Sequence, residues 1–280
     1  MSLFNWKKKE EPAPEPERLY NNDEMLFARL LFETNPQFDD KILLQEISKQ
    51  FAQVEPAPND RDDARQYFFR DYMASFKEGS LPAQCTIFRP AASDIQKSLE
   101  KAYQQLWHWR EAKEATANCR YELVVSDLMS RTLPYKQRNE LFQKFVIAVA
   151  TAMQPKAIYF PTSEKVVETS TYLSMMALDG VEYLYGLLNV RLFNLPDQSM
   201  LMDTVGLHAF GLPDFQFQFK DHDPSTIAGL LSSYGHYIFG YGSVILNGET
   251  VEGVEQGSKW KCLYDASALP PNRNVLNLRE

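Results

Sequence analysis

The sequence has few cysteines, no long apolar run and no compact motif of a common enzyme class. Its 280 residues contain three cysteines, Cys85, Cys119 and Cys262, which lie far apart and lack C-x-x-C spacing. This odd, scattered set argues against a disulfide framework or structural zinc and favours buried, reduced thiols. No run approaches the roughly 20 apolar residues that a membrane-spanning helix needs. The N-terminus also lacks the apolar segment of a secretory signal, so we expect no membrane span and a cytoplasmic location.

Motifs for metal binding, nucleophilic catalysis and phosphate binding are also missing. The four histidines, which include His208 and His222, form no H-E-x-x-H or H-x-H pattern, and no G-x-S-x-G occurs. Gly240-Tyr241-Gly242-Ser243 precedes a strand-like stretch, whereas phosphate-binding glycines open a helix, so we interpret it as a helix end. We therefore predict neither a metal nor a cofactor and favour a protein that is not an enzyme.

Acidic residues outnumber basic ones by 37 to 29, which gives a formal net charge of −8. Nucleic-acid binding needs a basic surface, so this balance makes nucleic acid an unexpected partner. An acidic surface suits a basic protein instead. Hydrophobic residues make up 44% of the chain, enough for a large core.

Both chain ends read as polar tails. Residues 1–20 are rich in Lys, Pro and Glu and cannot bury apolar surface, which predicts a disordered tail. Residues 269–280 are rich in Pro and Asn, which predicts a second polar tail.

The first half, residues 21–130, predicts the element order β-α-β-β-α-β, which is ferredoxin-like. A helix follows Asp39 or Asp40, and a second follows Ser93, which forms an S-x-x-Q capping box with Gln96. A polar loop is expected over 52–64. The predicted strands are Met25–Phe32, Gln66–Lys77, Gln84–Arg89 and Tyr121–Leu128.

The second half, residues 131–268, alternates helices with strands and hairpins. We predict helices over Lys136–Met153, from Ser163 to Met176, and after Asp223-Pro224, with strands at 157–160, 244–246 and 259–264. The fold class is therefore α+β, with mixed, largely antiparallel sheets packed with helices in two halves. The interface between the halves is the expected place for a pocket.

One stretch, TVGLHAFGLPDFQFQF over Thr204–Phe219, predicts a β-hairpin with a turn at Gly211-Leu212-Pro213. Its three later phenylalanines alternate onto an apolar face, while Asp214 and Gln216 share the polar face. A second turn is predicted at Asn247-Gly248. The candidate functional surface comprises His208, Asp214, Gln216 and Glu249.

The same stretch resembles the C-terminal signature of domain of unknown function 4261. The similar residues are Thr204, Gly206, Leu207, Phe210, Gly211, Leu212, Pro213, Asp214 and Gln216, followed by the element Gly248-Glu249-Thr250 and preceded by the segment AIYFP. The resemblance covers the second half of the chain. It implies a bacterial, cytoplasmic protein and, for some members, an accessory or immunity-type role beside toxin or secretion systems. No catalytic residues are assigned in that family, so none is carried over.

Three hypotheses follow from these patterns. The first is a non-catalytic binding protein, of immunity or accessory type, that binds another protein. The second is a structural subunit of a larger assembly, tethered by the N-terminal tail. The third is an enzyme with a site near His208 and Asp214, with Glu249 as a further candidate.

Overall fold

The computed structural model describes residues 25–58, 61–91, 94–178 and 184–280, which form two sheets packed with helices. The predicted α+β class is confirmed. The first sheet contains β1 (Phe27–Phe32), β2 (Val54–Pro56), β3 (Ala64–Phe76), β4 (Gly79–Phe88), β5 (Tyr121–Leu128), β6 (Ala157–Phe160) and β7 (Lys165–Glu168). The second contains β8 (Asn189–Asn194), β9 (Met200–Val205), β10 (Asp214–Phe219), β11 (Thr250–Glu252), β12 (Lys259–Ala266) and β13 (Asn274–Arg279).

The first sheet is antiparallel, with the strand order β2-β3-β4-β5-β1-β6-β7. The ferredoxin-like order is not confirmed, for two reasons. The expected loop over 52–64 contains β2, because Val54 packs against the core and its strand pairs with β3. In addition, β1 pairs with β5 on one side and with β6 on the other, so strands beyond residue 130 complete this sheet.

The second sheet has the order β11-β12-β13-β10-β9-β8, and its β13 runs parallel to β10. The prediction of a polar tail over 269–280 is therefore wrong. Val275, Leu276 and Leu278 are buried in the middle of the sheet, and only the flanking Pro and Asn residues read as a tail. The division between the two sheets falls between β7 and β8, not at residue 131.

The helices are α1 (Asp40–Gln50), α2 (Ile95–Ser98), α3 (Glu100–Tyr103), α4 (Ala112–Ala115), α5 (Tyr135–Met153), α6 (Thr169–Met176) and α7 (Pro224–Tyr241). The expected caps are present: Asp39 accepts hydrogen bonds from the first turn of α1, and Asp223 accepts one from Thr226 N at 2.8 Å. The single helix expected after Ser93 is two short helices, and Asp94 caps the first. Ser93 itself lies outside the described residues, as does the predicted tail 1–20.

The helix predicted from Ser163 is wrong over its first turns. Ser163 is buried in a short 3-10 turn, and its hydroxyl donates to the carbonyl of Gly186 at 2.6 Å. Residues Lys165–Glu168 then pair with β6 as the edge strand β7, and α6 begins only at Thr169. Val166 and Val167 are β-branched and suit this strand better than a helix.

A single large core joins the two sheets. It contains the inner faces of both sheets together with residues of α1, α5, α6 and α7. The phenylalanines predicted as core, Phe215, Phe217 and Phe219, are buried, and Phe217 stacks on Trp260 with centroids 4.2 Å apart. Because β7 ends the first sheet and β8 begins the second, side chains from both sheets meet at that junction.

Candidate functional site

The signature stretch forms a turn that is built around a left-handed glycine. Strand β9 ends at Val205, and Leu207–Phe210 is a 3-10 helix, so the first predicted hairpin arm is shorter than expected. Gly206 has φ 132° and Gly211 has φ 69°, values that L-residues with a side chain rarely adopt. Strands β9 and β10 then pair antiparallel, with Gln216 opposite Asp203, as a hairpin requires.

Asp214 lies at the centre of this turn and is completely buried. Its Oδ1 accepts from Thr204 Oγ1 at 3.1 Å and Leu207 N at 3.2 Å, and its Oδ2 accepts from His208 Nδ1 at 3.0 Å and Arg273 Nε at 3.1 Å. Burial alone raises the pKa of Asp214, but the His208 hydrogen bond and the Arg273 charge outweigh it, so the net pKa is lowered. The carboxylate therefore stays charged and holds the turn together.

Asp214 belongs to a larger network of buried ion pairs. Arg273 Nη2 donates to Asp203 Oδ2 at 2.6 Å, and Arg191 donates to the same carboxylate at 3.0 and 2.6 Å. Arg191 also reaches Glu164 at 2.7 Å. Positive and negative groups thus alternate through the second sheet, which is the arrangement that makes buried charges tolerable. Sequence reasoning missed this network because Arg273 lay in the supposed tail.

The four residues predicted as one functional surface do not form one. Asp214 and Gln216 are buried, and the Gln216 side-chain oxygen accepts from Ala268 N at 2.9 Å. Glu249 lies at the separate turn after Asn247-Gly248, where it accepts from Leu246 N at 2.8 Å. Residues 244–246 form no strand, contrary to the prediction. Only His208 and Asp214 are brought together.

The His208 side chain lines a cleft of about 360 Å³ with Lys101 and Glu164, whereas His222 lies elsewhere, beside Glu280.

A larger cleft of about 480 Å³ lies where the two sheets meet, and we call it the inter-sheet cleft. Strands β7 and β8, helix α7 and the segment before α4 all contribute to it. The sequence predicted a pocket between residues 21–130 and 131–268, but β7 and β8 both belong to the second of these ranges. The lining consists of Trp107, His108, Lys165, Met175, Leu184, Tyr185, Leu188, Asn189, Val190, Ala228, Ser232 and His236.

Among the described residues of this lining, Lys165 alone carries an ammonium. Its Nζ donates to the carbonyl of Leu188 at 3.3 Å and lies 4.5 Å from the centre of the Tyr185 ring. Within the described parts of the chain, no carboxylate forms an ion pair with it. Burial lowers the pKa of Lys165 to about 8. A partly buried cation without a counter-ion is energetically costly, and such groups are common at functional sites.

Two imidazoles in the same lining have tautomers that can be inferred from their partners. His108 Nε2 lies 2.7 Å from the carbonyl of Val166, so this nitrogen donates and Nδ1 is the acceptor. His236 Nδ1 lies 2.8 Å from the carbonyl of Ser232, so its Nε2 is the acceptor when the ring is neutral. Burial of the ring, and then the Lys165 charge, lower the pKa of His108, although the residue as a whole is exposed. The cleft thus combines one cation with two hydrogen-bond acceptors.

The wall of the inter-sheet cleft formed by residues 184–188 is held by close approaches at three glycines. A Cβ on Gly206 would lie 1.8 Å from the carbonyl oxygen of Leu187, and one on Gly235 would lie 2.8 Å from the Leu188 side chain. A Cβ on Gly186 would lie 2.3 Å from the Phe160 ring. The signature glycine Gly206 therefore supports the backbone next to the carbonyl that Lys165 contacts.

The comparison with protein families matches residues 203–279 to the family described as Domain of unknown function (DUF4261). Residues 203–279 are therefore similar to that family, over less than half of the chain. The resemblance noted in the signature is confirmed for this region. The matched region supplies Asp203, Asp214 and Arg273 of the ionic network and the α7 side of the cleft, whereas Lys165 and His108 precede it. No curated protein and no solved structure matches the chain.

Three further properties apply to the described residues. No group of three or more His, Cys, Asp or Glu side chains there is placed to hold a metal ion. None of the helices in that part of the chain has the length and apolar character needed to cross a membrane. Cys85, Cys119 and Cys262 are buried and form no disulfide.

Proposed function

We propose that this protein is a non-catalytic binding protein whose inter-sheet cleft holds a small carboxylate with an apolar body. The observation that carries the proposal is the Lys165 ammonium, which faces a carbonyl and an aromatic ring but no described carboxylate. A ligand carboxylate would complete the missing ion pair. The proposal keeps the function class expected from the sequence, which is binding. It replaces the expected partner, a basic protein, by a small carboxylic acid.

The lining of the cleft defines the rest of the ligand. Met175, Leu184, Leu188 and Val190 give it a largely apolar wall, which suits a hydrocarbon chain or ring. A volume of about 480 Å³ lies within the range of small-molecule sites. The net charge of −8 disfavours long-range attraction of an anion, so the affinity has to come from contacts inside the cleft.

The expected energy of the carboxylate contact can be estimated. Hydrogen bonds that involve charged groups contribute about 1.5–3 kcal/mol. Since about 1.4 kcal/mol corresponds to a tenfold change in affinity, the carboxylate should strengthen binding by roughly 10- to 100-fold. A neutral ligand of the same length should bind more weakly by that factor.

Calorimetric titration with hexanoate and with hexanol tests this proposal. We expect hexanoate to bind roughly 10- to 100-fold more tightly than hexanol, and Lys165→Met to remove the difference. Lys220→Met, at an exposed lysine outside the cleft, is the matched control and should bind hexanoate as the wild type does. Equal binding of acid and alcohol, or full hexanoate affinity in Lys165→Met, would contradict the proposal.

The other functional hypotheses stay predictions. A protein partner, an immunity-type role and a structural subunit each need evidence from the native host. The enzyme hypothesis has one supporting contact, the 3.0 Å approach of His208 Nδ1 to Asp214 at the edge of the smaller cleft. The same carboxylate also accepts from Thr204, Leu207 and Arg273, which favours a structural role for it.

A further inference from the structure

We propose that Lys165 also forms an imine with small apolar aldehydes that enter the inter-sheet cleft. This second ligand class rests on the proposed function only in sharing its cleft. The inference follows from the position of the amine, the apolar lining around it and the two imidazoles in the same lining. It makes Lys165 a site of reversible covalent capture.

The surroundings of Lys165 differ from those of the lysines that form ion pairs. Lys49 and Lys144 pair with the carboxylates of Glu46 and Glu140. Lys165 instead contacts the Leu188 carbonyl and the Tyr185 ring. An amine that is desolvated in an apolar pocket without a carboxylate is a recognised form of activated nucleophile.

The fraction of free amine follows from the pKa. Burial lowers the pKa of Lys165 to about 8, so about half of it is unprotonated at pH 8. An ordinary lysine, with a pKa of about 10.4, is unprotonated to less than about 1% at that pH. Lys165 should therefore present on the order of 100-fold more nucleophile than an exposed lysine.

The reaction balances without an oxidant or reductant. The unprotonated Nζ attacks the aldehyde carbon and forms a C–N bond, while the carbonyl oxygen takes up a proton and becomes a hydroxyl. Nζ then loses a proton, and the acceptor nitrogens of His108 and His236 are the bases in the lining. That hydroxyl then takes up the proton released by Nζ, the C–O bond breaks and the oxygen leaves as water, while the nitrogen lone pair completes a protonated C=N bond.

The lining also selects the aldehyde. Leu184, Leu188 and Val190 favour a hydrocarbon chain over a sugar or another polar aldehyde. Tyr185 lies against Nζ and limits its freedom, which places the amine at a fixed point of the cleft. A short alkanal is therefore the appropriate probe.

The test is trapping of the imine in the full chain at pH 8 with sub-stoichiometric hexanal and borohydride, followed by peptide mass spectrometry. We expect Lys165 to carry the adduct at least 10-fold more often than exposed Lys220, and the preference to vanish in the urea-unfolded chain. Lys165→Arg keeps the charge and should lose the dominant adduct. Equal labelling of Lys165 and Lys220, or an unchanged preference after unfolding, would overturn the proposal.

Competition with hexanoate separates this inference from the proposed function. Adduct formation that hexanoate suppresses supports both. A Lys165 adduct that hexanoate does not suppress supports imine formation and counts against carboxylate binding in the cleft. Hexanoate binding without preferential labelling of Lys165 overturns the inference and leaves the proposed function in place.

Discussion

Replacement of Lys165 by methionine keeps a long, unbranched side chain but removes the ammonium from the inter-sheet cleft. If the ammonium pairs with a ligand, its desolvation destabilises the folded protein when no ligand is bound. Lys165→Met should then stabilise the fold. If it were a structural cation, the same change would destabilise the fold. The sign of the stability change therefore distinguishes the two roles.

The magnitude follows from the pKa. A fall from 10.5 to about 8 limits the penalty on the charged form to about 3 kcal/mol, since each pKa unit corresponds to 1.36 kcal/mol. Lys165 is only partly buried, so solvent screening reduces this value. Lys165→Met also loses the contact with the Tyr185 ring, which reduces the expected stabilisation by roughly 0.5–1 kcal/mol. We expect a net stabilisation of about 1 kcal/mol at pH 7.

The pH dependence has a definite sign. Between pH 8 and pH 10.5 the unfolded chain holds the Lys165 proton while the folded chain has released it, so this group makes the free energy of unfolding rise with pH. Below pH 8 the penalty is fully present. Lys165→Met lacks this contribution, so its advantage over the wild type should shrink as the pH approaches 10. Buried tyrosines titrate in both proteins, and taking the difference removes their effect.

Urea denaturation of both proteins at pH 7 and pH 9.5 measures this difference. Lys220→Met serves as the control, because Lys220 is exposed and should change stability little at either pH. A Lys165→Met variant that is less stable than the wild type at both pH values would refute the reasoning.

Further predictions concern the signature turn. Gly206→Ala should cost about 1–3 kcal/mol more than Gly79→Ala, because both glycines have similar φ, 132° and 136°, but only the first would push a Cβ into Leu187. Equal costs in urea denaturation would show that the close approach is unimportant. Asp214→Asn should cost about 3–5 kcal/mol, because it leaves Arg273 buried with one carboxylate fewer. A cost near the ~1 kcal/mol of a cap variant such as Asp223→Ala would contradict it. Because the folded pKa of Asp214 is lowered, its contribution is complete above about pH 4 and is lost below, so Asp214→Asn should flatten the acid loss of stability.

Local sequence patterns predicted those elements whose signals are local. The caps Asp39 and Asp223 define the starts of α1 and α7, and the strand predicted at Tyr121–Leu128 is β5. The parallel strand β13 was missed because its pairing with β10 depends on residues about 60 positions away. Strand β7 was missed because Ser163 resembles a cap but instead bonds to Gly186.

The candidate site shows the same limit. The signature marked Asp214 as unusual, but only the structure brings Arg273 to it across 59 positions. Lys165 has no local pattern that marks it, because the lack of a counter-ion among the described residues is a property of the packed fold. A pocket was expected where residues 21–130 meet residues 131–268, whereas the inter-sheet cleft lies between β7 and β8, which both belong to the second of those ranges.

The most direct measurement is an NMR titration of the Lys165 ε-methylene group in the wild-type protein, with and without saturating hexanoate. A cation that pairs with the ligand should titrate near pH 8 in the free protein and at a clearly higher pH in the complex, because a bound carboxylate favours the charged amine. A pKa that hexanoate leaves unchanged, or a free-protein pKa near that of an exposed lysine, would contradict carboxylate binding at Lys165.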